Sequence, residues 1–572
     1  MKRLGASRSE LLCLAGVVLL GALLRLVNLP LRGGWDSDQG TEMLGLRAAL
    51  ESGRLPTFGP AAISVQTPFH HGALYYDLLL PAAWLGNGDP TWVVGEIALL
   101  SLIVIPIVWW VARSIGGPAA GLTAALLAAT SAALVSFATF IWNPTLVEPG
   151  AALALLGAWQ AVRSSRPQWW VVAALGAAVA VQAHIAAAVI LLPLALTFLV
   201  DIRRARARRR VLAWGAAGVA LFTLTYLPLI GSELGSGFAD TRSMLAYFFT
   251  DSNSAASLAP PVRLFVAMIR VAAWPLTRWP IVDLKPAFGL ALAAASALIL
   301  GLVWRVGETS ERMVAIKAAA RHAAEIRNGA DAGDGAGDAG GAGGSAVTGG
   351  AGGSDAEAPA SIERFGTRLI AGWLLLIILA LGLGLHAVSE FQALPTEQYH
   401  VVADPVVLVA AGLIVGAMWR PLAWRSMTMV RRAAVVALVV ATLSWNFGHM
   451  PPATSRDGGW PGAQIAVTRL EREAGGAPMA LVSLWRADLG PNKGTDAYLY
   501  PLTRDGVETV PPDRARIVVL LCDEFWLGWL GGCSGTAQTT WLNTDPAGAG
   551  LTRVDQFTVA PDRIFTVYRR GP

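Results

Sequence analysis

The strongest chemical signal in the chain is the pair of aspartates in Arg32-Gly33-Gly34-Trp35-Asp36-Ser37-Asp38-Gln39-Gly40-Thr41-Glu42. A carboxylate placed there can take a proton from a hydroxyl. Two carboxylates could also share a divalent ion, although a hard cation prefers six or more oxygens and would need further ligands. An Asp-x-Asp in isolation reads as an ordinary solvated turn. Its place gives it weight, because it follows directly on the first long apolar segment of a greasy chain. The histidines point the same way. Six of the seven (His70, His71, His184, His386, His400 and His449) fall near ends of apolar runs or in the loops beside them, with Gln182, Tyr75 and Tyr399 for company.

The elements that must position these groups follow from composition. The 572 residues are 54% hydrophobic and only 15% charged, and the mean hydropathy is +0.52. Soluble domains carry closer to a quarter charged residues. Apolar runs near the ~20 residues that cross a bilayer recur along the chain, so the class is an α-helical polytopic membrane protein. Spans are expected from Leu11 to Leu29 and near 91–112, 118–139, 146–162, 168–183, 185–200, 211–230, 286–304, 367–387, 401–418 and 430–446, about eleven in all. The run from Leu74 to Leu85 and the stretch Val262–Trp279 read as helices lying in the membrane interface. Arg25 and Asn28, in the last turns of the first span, would snorkel to the interface or sit near a lipid phosphate.

The net charge of +5 comes largely from arginine clusters between apolar runs. Such clusters set topology and touch anionic headgroups; without interleaved aromatics they argue against nucleic acid. All fall on one side if the N-terminus is cytoplasmic, which puts the protein in the cytoplasmic (inner) membrane with its C-terminal part outside. Residues 1–446 then form the membrane domain, and 306–363 its cytoplasmic linker, whose Gly/Ala/Asp tract near 329–353 is too apolar-poor to fold. Residues 447–572 have the composition of a small extracytoplasmic α/β domain. A helix is expected over Ile465–Glu473, with strands over Met479–Leu484, Ile517–Leu521 and Ile564–Tyr568. Cys522 and Cys533 in this domain read as a disulfide, and zinc lacks paired ligands.

This topology collects the polar residues into one layer at the outer face. A transporter or flippase would instead scatter them at mid-depth across an internal repeat, and no repeat is visible. Nucleotides are scarce outside, so a sugar transferase there must draw on a lipid-linked donor. Such a reaction needs a carboxylate base, groups to hold the departing phosphate and a greasy slot for the carrier. Asp36 or Asp38 can be the base. His70, His71, Tyr75, His184, Tyr399, His400 and Lys285, the one outer-loop lysine before the C-terminal domain, can bind donor or acceptor.

The order of these pieces resembles the GT-C membrane glycosyltransferases, nearest to the branch of protein O-mannosyltransferases and lipid A aminoarabinose transferases. That branch carries Asp-Glu in the first outer loop and a Gly about fifteen residues on; here Asp38-Gln39 precedes Gly53. Gln39 replaces the Glu, and Asp36 could substitute for it, which leaves the base open between Asp36 and Asp38. His70-His71-Gly72-Ala73-Leu74-Tyr75-Tyr76 is similar to the family's His-Pro-Pro-Leu-Tyr-Tyr, without its prolines. Trp142-Asn143-Pro144, Gln182-Ala183-His184 and Glu397-Gln398-Tyr399-His400, followed by Asp404-Pro405, also lie at family-like places. The resemblance spans roughly residues 10–446. It implies a GT-C fold, a polyprenyl-phosphate sugar donor among the membrane lipids and an inverting displacement at the anomeric carbon. A ligase of lipid-linked glycans would show more arginine in its large outer loop. The C-terminal domain matches nothing in the family and would serve acceptor binding or gating.

Overall fold

A computed structural model describes residues 6–62, 69–249, 259–278, 288–333, 352–384, 397–484, 494–523, 535–560 and 563–571. Lys285, His386 and Cys533, and most of the Gly/Ala/Asp tract, lie outside these residues.

Within them, eight helices are long and apolar enough to cross a bilayer, beginning with α1 (Arg8–Leu26). A pair of helices bent by 54°, Arg208–Leu224 with Leu227–Ser236, makes a ninth if the two count as one span, and Pro118–Thr130 and Trp169–Ala183 are shorter apolar helices. The bend falls in the expected span 211–230, where Pro228 opens a new helix; proline lacks the N–H that would continue the old one. Two helices between the first two spans carry the aspartate and histidine segments: α2 (Ser37–Ser52) and α3 (Leu74–Leu85). The short strands β1 (Ala61–Ala62) and β2 (Phe69–His70) pair between them.

The helix Asn143–Ser164 and α4 (Trp169–Ala183) approach so closely that side chains are excluded. A Cβ on Gly157 would lie 2.4 Å from the Ala173 amide nitrogen, and one on Gly176 would lie 2.3 Å from that of Ala154. Small residues at such a crossing let two backbones pack tightly, and α4 ends with Gln182 in its last turn and His184 as its C-cap. Then come α5 (Ala239–Phe249) and α6 (Pro260–Thr277). The latter is exposed at Val262 and Phe265 and buried along its other face. It packs lengthwise on α7 (Phe288–Gly333), with Arg263, Arg270 and Trp274 buried in the bundle.

Helix α7 also runs well past the expected end of its span. Its extension holds good helix formers, and Arg305 pairs with Glu308 one turn on. Glu308 also takes Arg312 at 2.7 Å. Arg305 and Arg420 both pair with Glu363, which ties α7 to α8 (Gly352–Leu379) and to the end of α9 (Asp404–Met418). The Arg113–Glu10 pair, at 2.5 Å, joins α1 to the next span.

The C-terminal part is an α/β unit. Its sheet has the order β3-β4-β6-β5, built from β3 (Met479–Ser483), β4 (Ile517–Asp523), β5 (Leu551–Ala560) and β6 (Arg563–Arg570). Strands β3 and β4 are parallel and the other pairings antiparallel, with Val519 opposite Val567. Helices α10 (Gly459–Ala474) and α11 (Asp496–Arg504) complete it. Strand β5 was not expected because half of it is exposed; an edge strand of that kind shows no clean apolar alternation.

Candidate active site

The aspartates do not sit in a loop. Asp36 is the N-cap of α2: its carboxylate accepts from the Asp38 amide at 3.1 Å, while Gln39 Oε1 accepts from the Asp36 amide at 3.0 Å. This reciprocal pair is a capping box. The Gln39 amide group donates to the Ile141 carbonyl at 2.7 Å, which anchors the helix start to the bundle. Gln39, the departure from the family's Glu, is therefore spent on holding the helix.

Asp38 is half-buried in the first turn, and among the described residues its carboxylate takes no hydrogen bond. Glu42 lies one turn further along α2, buried, and bonded to Tyr76 of α3. Burial, then the charge of Asp38, raises Asp36 to about 7, with Arg563 of β6 pulling the other way. Burial raises Glu42 to about 8, against the Tyr76 hydrogen bond. Tyr75 is buried beside Glu42 and Asp38, its hydroxyl without a partner among the described residues. Sequence reasoning missed Glu42, although its spacing of four from Asp38 puts both on one helix face.

The neighbouring histidines part company. His70 Nδ1 bonds Asp240 Oδ1 at 2.7 Å and its amide donates to Asp240 Oδ2 at 2.9 Å, which holds it against α5. His71 turns into the protein, since successive residues of extended chain point to opposite sides. Its ring lies 5.3 Å from that of His184, which in turn lies 5.2 Å from Tyr399. Three of the expected binding residues thus form one row. Burial drives both imidazoles down, His184 to about 4 and His71 well below its usual range. Both rings are neutral at pH 7. His184 Nδ1 accepts from the Ala186 amide at 3.3 Å, so its proton is on Nε2 and can be donated.

Behind Tyr399, His400 is fully buried against Trp274, ring centres 5.4 Å apart, and burial with the nearby Arg270 charge holds it well below the imidazole range. Arg270 is buried inside, next to His400. The sevenfold spacing of Arg263 and Arg270 marks that inward stripe. Arg278 bonds the His449 carbonyl at 2.7 Å and Ser136 at 3.1 Å. Arg25 neither snorkels nor awaits a phosphate. It is fully buried and donates to Ser101 and to the Ala128 and Ala129 carbonyls, with Glu148 nearby.

Asp496 of α11 lies beside Asp38 and accepts from Thr41 at 2.6 Å. No feature of the sequence linked it to the site. No group of three or more His, Cys, Asp or Glu among the described residues could hold a metal ion, so Asp36 and Asp38 find no further ligand there. Cys522 lies in β4, opposite Ile564 of β6.

The whole architecture has solved counterparts. ArnT from Cupriavidus metallidurans in its apo state superposes with a TM-score of 0.54 at 12% identity, over 98% of this chain and 99% of that one. The same protein bound to undecaprenyl phosphate gives 0.50 at 14% identity, over 99% and 100%. This is the GT-C fold. A family profile described as dolichyl-phosphate-mannose-protein mannosyltransferase matches residues 86–228. No curated protein matches the chain in sequence. Residues 86–228 lie in helices of the bundle, and Gln182 and His184 end one of them, α4. The match stops short of α2, so it carries the scaffold and not the aspartates.

Proposed function

We propose that the protein is a membrane glycosyltransferase that moves a hexosyl or pentosyl group from a polyprenyl-phosphate donor to an acceptor hydroxyl. It works at the outer face of the cytoplasmic membrane, with the N-terminus inside and the C-terminal domain outside. The observation that carries this is the carboxylate of Asp38. It is uncommitted, in the first turn of α2, in a chain of GT-C fold that also carries the row of His71, His184 and Tyr399. Asp38 takes the acceptor proton as the hydroxyl oxygen attacks the anomeric carbon. The sugar–phosphate bond breaks on the far side, the configuration inverts, and the electron pair leaves on the phosphate. Asp36, whose carboxylate is occupied by capping, orients the helix and is the lesser candidate for base.

The phosphate needs positive charge and donors. Arg270 supplies the first, and the neutral His71 and His184 with Tyr399 the second. A groove of 610 Å³ lined by Leu264, Phe265 and Met268 of α6, Ile299 of α7 and Leu374 and Ile378 of α8 suits a prenyl tail. It begins two residues from Arg270 along α6. The ArnT structure with undecaprenyl phosphate supports a carrier of this class. Three of the charged groups inside the bundle lie at helix ends and not at the mid-depth a transporter would use. Arg25, Glu148 and Asp404 occupy the last or first turns of their helices, at the same end as the site.

The test uses membranes carrying Asp38→Asn or Asp36→Asn and a labelled polyprenyl-phosphate sugar. Loss of a general base slows transfer ~10²–10⁴-fold, so Asp38→Asn is expected to fall by that much while still binding polyprenyl phosphate. Full transfer by both variants would overturn the reading.

A further inference from the structure

The C-terminal domain packs on the segment around Trp35 and on the helix that follows it, and it takes every polar group that Trp35 has. Trp35, immediately before Asp36, is 3% exposed. Its amide donates to Asp457 Oδ2 at 2.6 Å, its indole N–H to the Ala497 carbonyl at 2.6 Å, and its own carbonyl accepts from Arg563. The indole packs on Trp460 and Tyr500, ring centres 4.7 and 6.1 Å away. The grip comes from both ends of the domain. Asp457 precedes α10, and its other oxygen caps that turn by accepting from Gly459 at 2.9 Å. Arg563 opens β6 and also donates to Tyr498 at 3.2 Å. Arg563 and Asp457 stand 3.7 Å apart, one on each side of the Trp35 backbone.

The next turn of α2 is held as well. Gly40 lies so close to α11 that a Cβ there would be 2.1 Å from the Asp496 carbonyl oxygen. Thr41 bonds the Asp496 carboxylate at 2.6 Å. The N-terminal turn carrying both aspartates is thus clasped by a domain that begins more than four hundred residues later.

We propose that Arg563 and Asp457 are positioning residues for the transfer: they fix the Trp35–Asp36 peptide, and with it the direction in which the Asp38 carboxylate points. The C-terminal domain is then a working part of the site. Arg563 and Asp457 are also opposite charges facing the same carboxylate. The charged groups around Asp36 are Asp38 on its own helix, Arg563 on β6 and Asp457 before α10, with Glu42 and Asp496 behind Asp38. Removing the cation makes Asp36 harder to ionise, and removing the anion makes it easier. The two substitutions therefore displace the acidic limb of the rate profile in opposite directions. A purely structural support would lower the rate alike at every pH.

This inference rests on the proposed role of the aspartate pair, so its test separates the two. The full chain is placed in lipid nanodiscs as the parent, Arg563→Gln, Arg563→Lys, Asp457→Asn and Asp38→Asn. Transfer from a polyprenyl-phosphate sugar is followed from pH 5.5 to 9, with hydrogen exchange measured over residues 33–42. A limb displaced by one pH unit is about a tenfold change in rate on that limb. Arg563→Gln is expected to lose about that factor near pH 7 and to recover in alkali, with the donor KM little changed. Asp457→Asn shifts the limb to lower pH. Arg563→Lys keeps the limb near its parental place, and it serves as the charge-retaining variant should Arg563→Gln fold poorly. Exchange over residues 33–42 quickens in both Arg563→Gln and Asp457→Asn. Superposable limbs, or unchanged exchange, with Asp38→Asn inactive would overturn the inference and leave the base assignment standing. An active Asp38→Asn would overturn the base assignment itself, and the exchange data would still decide whether the clasp exists.

Discussion

Replacing Glu42 by Gln should stabilise the protein in alkali, and the size of the effect can be worked from the site. Glu42 is buried one turn beyond Asp38, bonded to Tyr76, with its second oxygen unpartnered among the described residues. Its carboxyl is raised from 4.5 in the unfolded chain to about 8 in the folded protein. A folded-state value above the unfolded one gives a contribution fully present below the lower pKa. That contribution is lost as pH rises through the upper one. Each pH unit in the window is worth about 1.4 kcal/mol. Between pH 6 and pH 9, Glu42 then removes about 3 kcal/mol, and Asp36, raised to about 7, about 1 kcal/mol more. Glutamine keeps the carbonyl that accepts from Tyr76 and has nothing to ionise. Thermal unfolding in nanodiscs at a fixed scan rate should show the parent losing several degrees over this range. The Glu42→Gln variant should lose about a quarter as much stability and outlast the parent at pH 9. Parallel profiles for the two proteins would refute the reasoning.

Three further outcomes follow from named contacts. Arg270→Gln should raise the donor KM far more than it lowers kcat for soluble acceptors, read by steady-state transfer; the reverse split would remove Arg270 from the phosphate site. Gly40→Ala forces a Cβ against the Asp496 carbonyl, and overpacking of this kind costs ~1–3 kcal/mol; thermal unfolding should fall accordingly while Gly53→Ala, outside the contact, leaves the clasp intact by hydrogen exchange. Glu363→Gln strips the fully buried Arg305 of its partner on α8. Breaking such a pair costs about 3–5 kcal/mol, measurable as a lower unfolding temperature, and an unchanged temperature would show the network to be inert.

The helices of the bundle were legible because burial in lipid demands long apolar runs, and those runs carry their own boundaries. Each expected segment contains an apolar helix, though the span at 211–230 breaks before Pro228 and α7 outruns its apolar part through Glu308 and Arg312. The row of His71, His184 and Tyr399 was legible as residue types near span ends; that the three rings touch was not, because it depends on how α3, α4 and α9 pack. His70 was assigned with its neighbour but turns to Asp240 of α5, a distinction of one residue's direction that spacing cannot carry. The site's debt to the C-terminal domain left no trace in the sequence. Arg563 and Asp457 read as ordinary surface charges of a small soluble domain, and only the fold brings them to Trp35. That also revises the idea of the domain as a separable acceptor or gating module, since removing it would strip Trp35 of all three hydrogen bonds.

The most direct test is a cryo-EM map of the full chain in nanodiscs with polyprenyl phosphate added. The phosphorus should lie among Arg270, His71, His184 and Tyr399, facing the Asp38 carboxylate, with the tail running from there along α6. A phosphate bound instead beside Arg305 and Arg420, at the other end of the bundle, would contradict the account.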